Sequence, residues 1–123
     1  MVLHLLKLIK KNIEQQLVQF NDQYASYLGR QDLTIYDIRT IANNAKENNK
    51  KYENKAEYLI SVSITGIAGG DLQNKTENEW NQIIQNDTMD INGGTNVLPK
   101  YKCTDIKYNT AGRVCQVIFK KNS

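Results

Sequence analysis

At 123 residues with a formal charge of +3, the chain is long enough to bury one core without disulfides or metals, and its overall charge is no nucleic-acid signature. Its charged share of 24% beside 40% apolar residues excludes global disorder. One histidine and two cysteines exclude a structural zinc set.

The first element is a long helix, expected from Val2 to about Leu28. Val2, Leu6, Ile9, Ile13, Leu17, Phe20, Tyr24 and Tyr27 recur every three or four residues, which draws one apolar stripe along a helix. Gly29 stands where a helix C-cap belongs. At 1.5 Å per residue the helix is roughly 40 Å long, against a radius of gyration of about 14 Å for a compact domain of this size. It is long enough to span the domain and to project past one end. Leu3, Leu5 and Leu8 are apolar off the stripe, so the tip is greasy on nearly every side. Such a tip is expected to meet a second copy, a bilayer surface or a neighbouring segment.

After a short link, Thr34 to Asp37 is a capping signal. Ile35, Ile38, Ile41, Ala42 and Ala45 then predict a second amphipathic helix of about three turns, dissolving at Asn48, Asn49, Lys50 and Lys51. From Ala56 the period becomes two: Tyr58, Ile60, Val62 and Ile64 alternate with Leu59, Ser61, Ser63 and Thr65, a half-buried strand. Gly66, Gly69 and Gly70 end it. They are followed by neither Gly-Lys-Ser/Thr nor a G-x-G-x-x-G opening a helix, so a strand exit is the reading rather than a phosphate loop. Thr76 to Glu79 is a second capping signal, for a short helix burying Trp80, Ile83 and Ile84. Asn86 to Asn96 reads as a polar loop. Thr88, Asp90, Asn92 and Gly93 can be laid on an EF-hand, but its twelfth position falls on Pro99, where a glutamate is required.

Tyr101 to Tyr108 and Arg113 to Phe119 flank Asn109-Thr110-Ala111-Gly112, a hairpin with Gly112 placed for the left-handed position. The whole is expected to be a single α+β domain in the order α-α-β-α-β-β, a long helix over residues 1–30 and a head over 31–123. The helices lie on one face of a small antiparallel sheet of about three strands.

A four-residue hairpin loop pairs Cys103 with Ile118, and a three-residue loop pairs it with Phe119. Both leave Cys103 and Cys115 roughly 10 Å apart or more along the ladder, too far for a disulfide, so two free thiols are expected. A tighter turn centred on Asn109 would bring them opposite each other. His4, without a second histidine or a nearby cysteine in sequence, supports neither a metal site nor a triad. No nucleophile stands beside a base and no carboxylates keep a ligand spacing, so the expectation is not an enzyme, with no cofactor and no metal.

The basic C-terminal stretch, Lys100, Lys102, Lys107, Arg113, Lys120 and Lys121 against Asp105 alone, reads first as a solvated sheet face with lysines guarding edge strands. Lys7 interrupts the only apolar run well short of the ~18 residues of a membrane span. No basic region, apolar block and cleavage site follow one another as in a signal peptide. As written, the chain reads as soluble.

Two stretches carry a resemblance: Gln19-Phe20-Asn21-Asp22-Gln23-Tyr24-Ala25-Ser26-Tyr27-Leu28-Gly29 leading into the Thr34 helix and Asn48-Asn49, and Tyr101-Lys102-Cys103-Thr104-Asp105-Ile106-Lys107-Tyr108 running into Gly112-Arg113-Val114. Together they resemble small membrane-anchored proteins of Gram-positive bacteria, pilin-like or Tad-pilus-like in layout. The resemblance covers about a quarter of the chain. It implies an apolar N-terminal helix anchored in a membrane or fibre core, carrying a small α+β head at the cell surface. The chain departs from that pattern in lacking a prepilin cleavage site and a Phe-Thr-Leu start, and in carrying Lys7, Lys10 and Lys11 where an apolar anchor would run. The expected function is a non-enzymatic structural or assembly subunit. Val2, Leu3, Leu5, Leu6, Leu8 and Ile9 would make its contacts, through self-association or with a membrane or assembly partner. The alternative is a small binding module that uses Lys100, Lys102, Lys107, Arg113 and Lys120 against an acidic protein or, less favoured, nucleic acid.

Overall fold

A computed structural model describes residues 2–67, 70–89 and 98–122, apart from the side chains of residues 2, 3 and 89. Helix α1 spans Val2–Ala25 and α2 Ile35–Lys51. Strand β1 is Ser61–Ile64, α3 is Glu77–Met89, and β2 (Tyr101–Tyr108) and β3 (Val114–Lys121) form the terminal hairpin. Class and element order are as the hydrophobic periodicity predicts.

The sheet differs. Its order is β1-β3-β2, with β2 antiparallel to β3 but β1 parallel to it, so it is mixed rather than antiparallel. Two features of the chain explain this. A helix separates β1 from β2, which is the connection a parallel partner needs. And β3 is the most apolar strand, with Val114, Val117 and Phe119 wholly buried, so it takes the centre. Ser61 and Ser63 face outward on β1, which suits an edge.

One core joins the sheet to the helices. Ile35, Ile38, Ile41, Ala42 and Ala45 of α2 and Trp80 of α3 meet Ile60, Val62, Ile64, Tyr101, Cys103, Ile106, Val117 and Phe119. Both expected capping boxes form. The Thr34 N–H donates to Asp37 Oδ2 at 2.8 Å and the Asp37 N–H to Thr34 Oγ1 at 3.3 Å; the Thr76 N–H donates to Glu79 Oε1 at 3.0 Å and the Glu79 N–H to Thr76 Oγ1 at 3.2 Å. Those bonds to the charged form hold the Glu79 carboxyl below its usual range.

Four boundaries move. Helix α1 ends at Ala25 rather than near Leu28, so Gly29, at φ +88°, serves the link that follows and not the helix cap. Helix α2 does not dissolve at Asn48 but continues to Lys51, because both asparagine amides find partners off the helix: Asn48 Nδ2 donates to the Tyr58 carbonyl at 2.8 Å, and Asn49 exchanges two bonds of 2.9 Å with the backbone of Ile60. Helix α3 takes in Asn86 to Met89, which read as loop; the remainder of that loop, residues 90–96, lies outside the described residues. The alternating stretch from Ala56 yields a 3-10 turn at Ala56–Tyr58 before a strand of only four residues. The outer edge of β1 is closed by a side chain: the Val62 N–H donates to the buried Gln73 Oε1 at 2.8 Å.

In the hairpin, Cys103 lies opposite Phe119, as the three-residue loop predicts, while Cys115 falls at a bulge between the Lys107–Gln116 and Tyr108–Val114 pairs. Both thiols are free. Gly112 takes φ +79°, the left-handed value expected for the turn.

Candidate functional site: the projecting helix and the groove at its base

Among the described residues, only the C-terminal turns of α1 touch the head. Asn21 pins them: its Nδ2 donates to the Gly112 carbonyl at 2.8 Å, and the Val114 N–H donates to its Oδ1 at 2.9 Å. Tyr24 is buried, and Phe20 packs against it with ring centroids 5.3 Å apart. Burial, seconded by the nearby Tyr27, pushes the Tyr24 phenol up to about 12, against a smaller opposing pull from Arg113.

From His4 to Gln16 every residue of α1 is exposed. Leu5, Leu6, Leu8, Ile9 and Ile13 present 48–60% of their surface to solvent. The stripe that is one continuous line in the sequence is thus buried at its lower end and bare along its upper half. Of the expected contact residues, Leu5, Leu6, Leu8 and Ile9 are exposed on this arm; the side chains of Val2 and Leu3 lie outside those described. His4 is exposed on the same arm. Among the described residues no helix is long and apolar enough to cross a membrane.

Where α1 leaves the head, a groove of about 1060 Å³ opens between it and α2. One wall is Ile13, Gln16, Leu17, Phe20 and Gln23; the other is Asn44, Glu47, Asn48 and Lys51, with Tyr52, Tyr58 and Arg113 between them. The Arg113 guanidinium lies 3.6 Å from the Phe20 ring centroid and 5.1 and 5.2 Å from those of Tyr58 and Tyr52, whose own rings stack at 4.2 Å. Its Nη2 donates to Asn48 Oδ1 at 2.9 Å, while the buried Nε has no hydrogen-bond partner among the described residues. Cation–π attraction to several rings offsets that omission. Composition gave no hint of this arrangement, because Arg113 and Asn48 lie 65 positions apart.

The basic hairpin residues do not form one surface. Lys100, Lys107 and Lys120 are exposed and Lys102 is half-buried opposite Lys120. Arg113 is buried and belongs to the groove. A second, smaller cavity of about 320 Å³ lies at the other end of the sheet. There the Tyr101 hydroxyl donates to the buried Asp87 Oδ1 at 2.5 Å, and Lys121 Nζ stands 3.8 Å from the same oxygen.

The fold and site define a two-layer α+β head bearing a half-unpartnered amphipathic helix. The chain matches no protein-family model, no curated protein and no solved structure.

Proposed function

We propose that this chain is a non-enzymatic structural or assembly subunit, pilin-like in layout, that associates through α1. The observation that carries the reading is the exposed continuation of the core-facing stripe. A helix rarely keeps Leu6, Ile9 and Ile13 in line with a buried Tyr24 unless that line is also covered.

Magnitudes bound the strength. Full burial of an aliphatic side chain is worth about 1.5–3 kcal/mol, so covering five that are half exposed yields about 5 kcal/mol per copy and about 10 kcal/mol for a pair. Association costs about 4–15 kcal/mol in lost freedom. At the low end of that cost the net is about 6 kcal/mol in favour of pairing, a dissociation constant of roughly tens of micromolar, so the association is weak rather than obligate.

Light scattering over a concentration series tests it, on the full chain and on Ile9→Glu. The full chain is expected to gain mass with concentration and Ile9→Glu to remain monomeric. A full chain that stays monomeric at high concentration sinks the reading.

A further inference from the structure

The stripe has a symmetry of its own. From Val2 through Leu6, Ile9, Ile13, Leu17 and Phe20 to Tyr24 the steps are four, three, four, four, three and four residues, the same read in either direction from Ile13. Ile13 is also the first residue of α1 to line the groove, one turn beyond the half-buried Leu17 where the helix meets the head. From these two facts we infer that α1 pairs with α1 of a second copy, antiparallel and about a two-fold axis at Ile13, so that each tip lies in the other copy's groove.

The pairing is isologous, so one patch serves on both sides. Ile13 meets its own counterpart, Ile9 meets Leu17 of the second copy, and Leu6 meets Phe20. The groove walls Ile13, Gln16, Leu17, Phe20 and Gln23 lie on the same arc of α1 as the exposed Leu5, Leu6 and Ile9. The incoming tip therefore presents its apolar arc to the one concave surface that continues it. The three lysines of each tip, Lys7, Lys10 and Lys11, are thereby held apart from their counterparts, in a groove whose Glu47 and Glu57 are balanced by Lys51 and Arg113. A parallel pair would superpose the three lysines of one tip on those of the other and leave both grooves empty. A bilayer surface would cover the stripe but not the groove.

This inference rests on self-association through α1 and adds its geometry, so the two can fail separately. Nitroxides are placed on flanking positions of α1 by Asn12→Cys or Lys7→Cys in a Cys115→Ser background, Cys103 being buried. Spin–spin distances are then read between copies. In the antiparallel pair the axial offset between labels is about 3 Å at Asn12 and about 18 Å at Lys7, at 1.5 Å rise per residue. Equal distances at the two positions overturn the geometry while leaving association standing. In the full chain, Asn44→Trp fills the groove without altering α1 and is expected to weaken the dimer at least about tenfold. An unchanged dimer with Asn44→Trp overturns groove seating. A monomer that binds vesicles of anionic lipid overturns both readings in favour of the membrane.

Discussion

Replacing Asn49 with alanine removes two hydrogen bonds at once and leaves their partners stranded. The side chain is 6% exposed, and its amide meets both the N–H and the carbonyl of Ile60 at 2.9 Å, immediately before β1 begins. Ile60 itself is 1% exposed, so water cannot readily replace the lost amide. Each buried backbone group left unpaired costs about 1–3 kcal/mol, giving about 2–6 kcal/mol for the substitution. For a domain of this size that is roughly 4 °C of melting temperature per kcal/mol, hence a fall of roughly 8–24 °C. Asn48→Ala is the comparison: it removes bonds to the half-buried Tyr58 carbonyl, to Asn49 Oδ1 and from the Arg113 guanidinium but leaves both bonds to Ile60 in place, so a smaller loss of about 1–2 kcal/mol is expected. Urea titration and thermal melts supply the numbers. Hydrogen exchange at Ile60 and Val62 reports whether the loss is local to the clasp. Were Asn49→Ala to cost no more than Asn48→Ala, with Ile60 still protected, the clasp would not be holding β1 to α2.

Two further outcomes follow from the ionisable groups. The Tyr24 phenol titrates in the folded chain at about 12 against an ordinary 10.0. The phenol is neutral when protonated and burial favours that form, so its contribution is complete below pH 10 and is lost as pH rises toward 12, about 3 kcal/mol across that window. Tyr24→Phe should remove this steep alkaline loss from a pH series of unfolding, and an unchanged slope would place the effect elsewhere. Burial pushes the Cys103 thiol up, and it lies in the core, whereas Cys115 is half exposed at the bulge. A thiol reagent should thus label one cysteine quickly in the native chain and the second only on unfolding; simultaneous labelling, or none after unfolding, would contradict the register.

Much of the fold was legible because its signals are local. Thr34 with Asp37, Thr76 with Glu79, the run Ile35-Ile38-Ile41-Ala42-Ala45 and the glycine at 112 each act within a few residues of themselves, and all formed as read. Trp80 went to the core for the same reason. What escaped was pairing between distant parts. The parallel ladder joins Ser61 to Gln116 across the whole of α3 and β2, and no periodicity announces such a partner. Asn48 and Asn49 looked like a helix end because polar residues reveal nothing about the backbone groups they will satisfy, and Gln73, which takes the Val62 N–H, gave no signal for the same reason. Arg113 was counted with a basic surface, yet three aromatic rings from α1, α2 and the turn before β1 take it inside. The apolar tip of α1 was visible from its residues; the groove beside it was not, since its walls come from segments about thirty residues apart.

The central position of β3 has a consequence for the order in which the molecule can be made. Every other described element precedes it in the chain, and both remaining strands hydrogen-bond to it rather than to each other. During synthesis β1 therefore waits, its inner edge open, while about fifty residues follow it out, and no ladder of the sheet can close until residues 114–121 have emerged. Meanwhile α1 is already free, with its stripe uncovered at both ends.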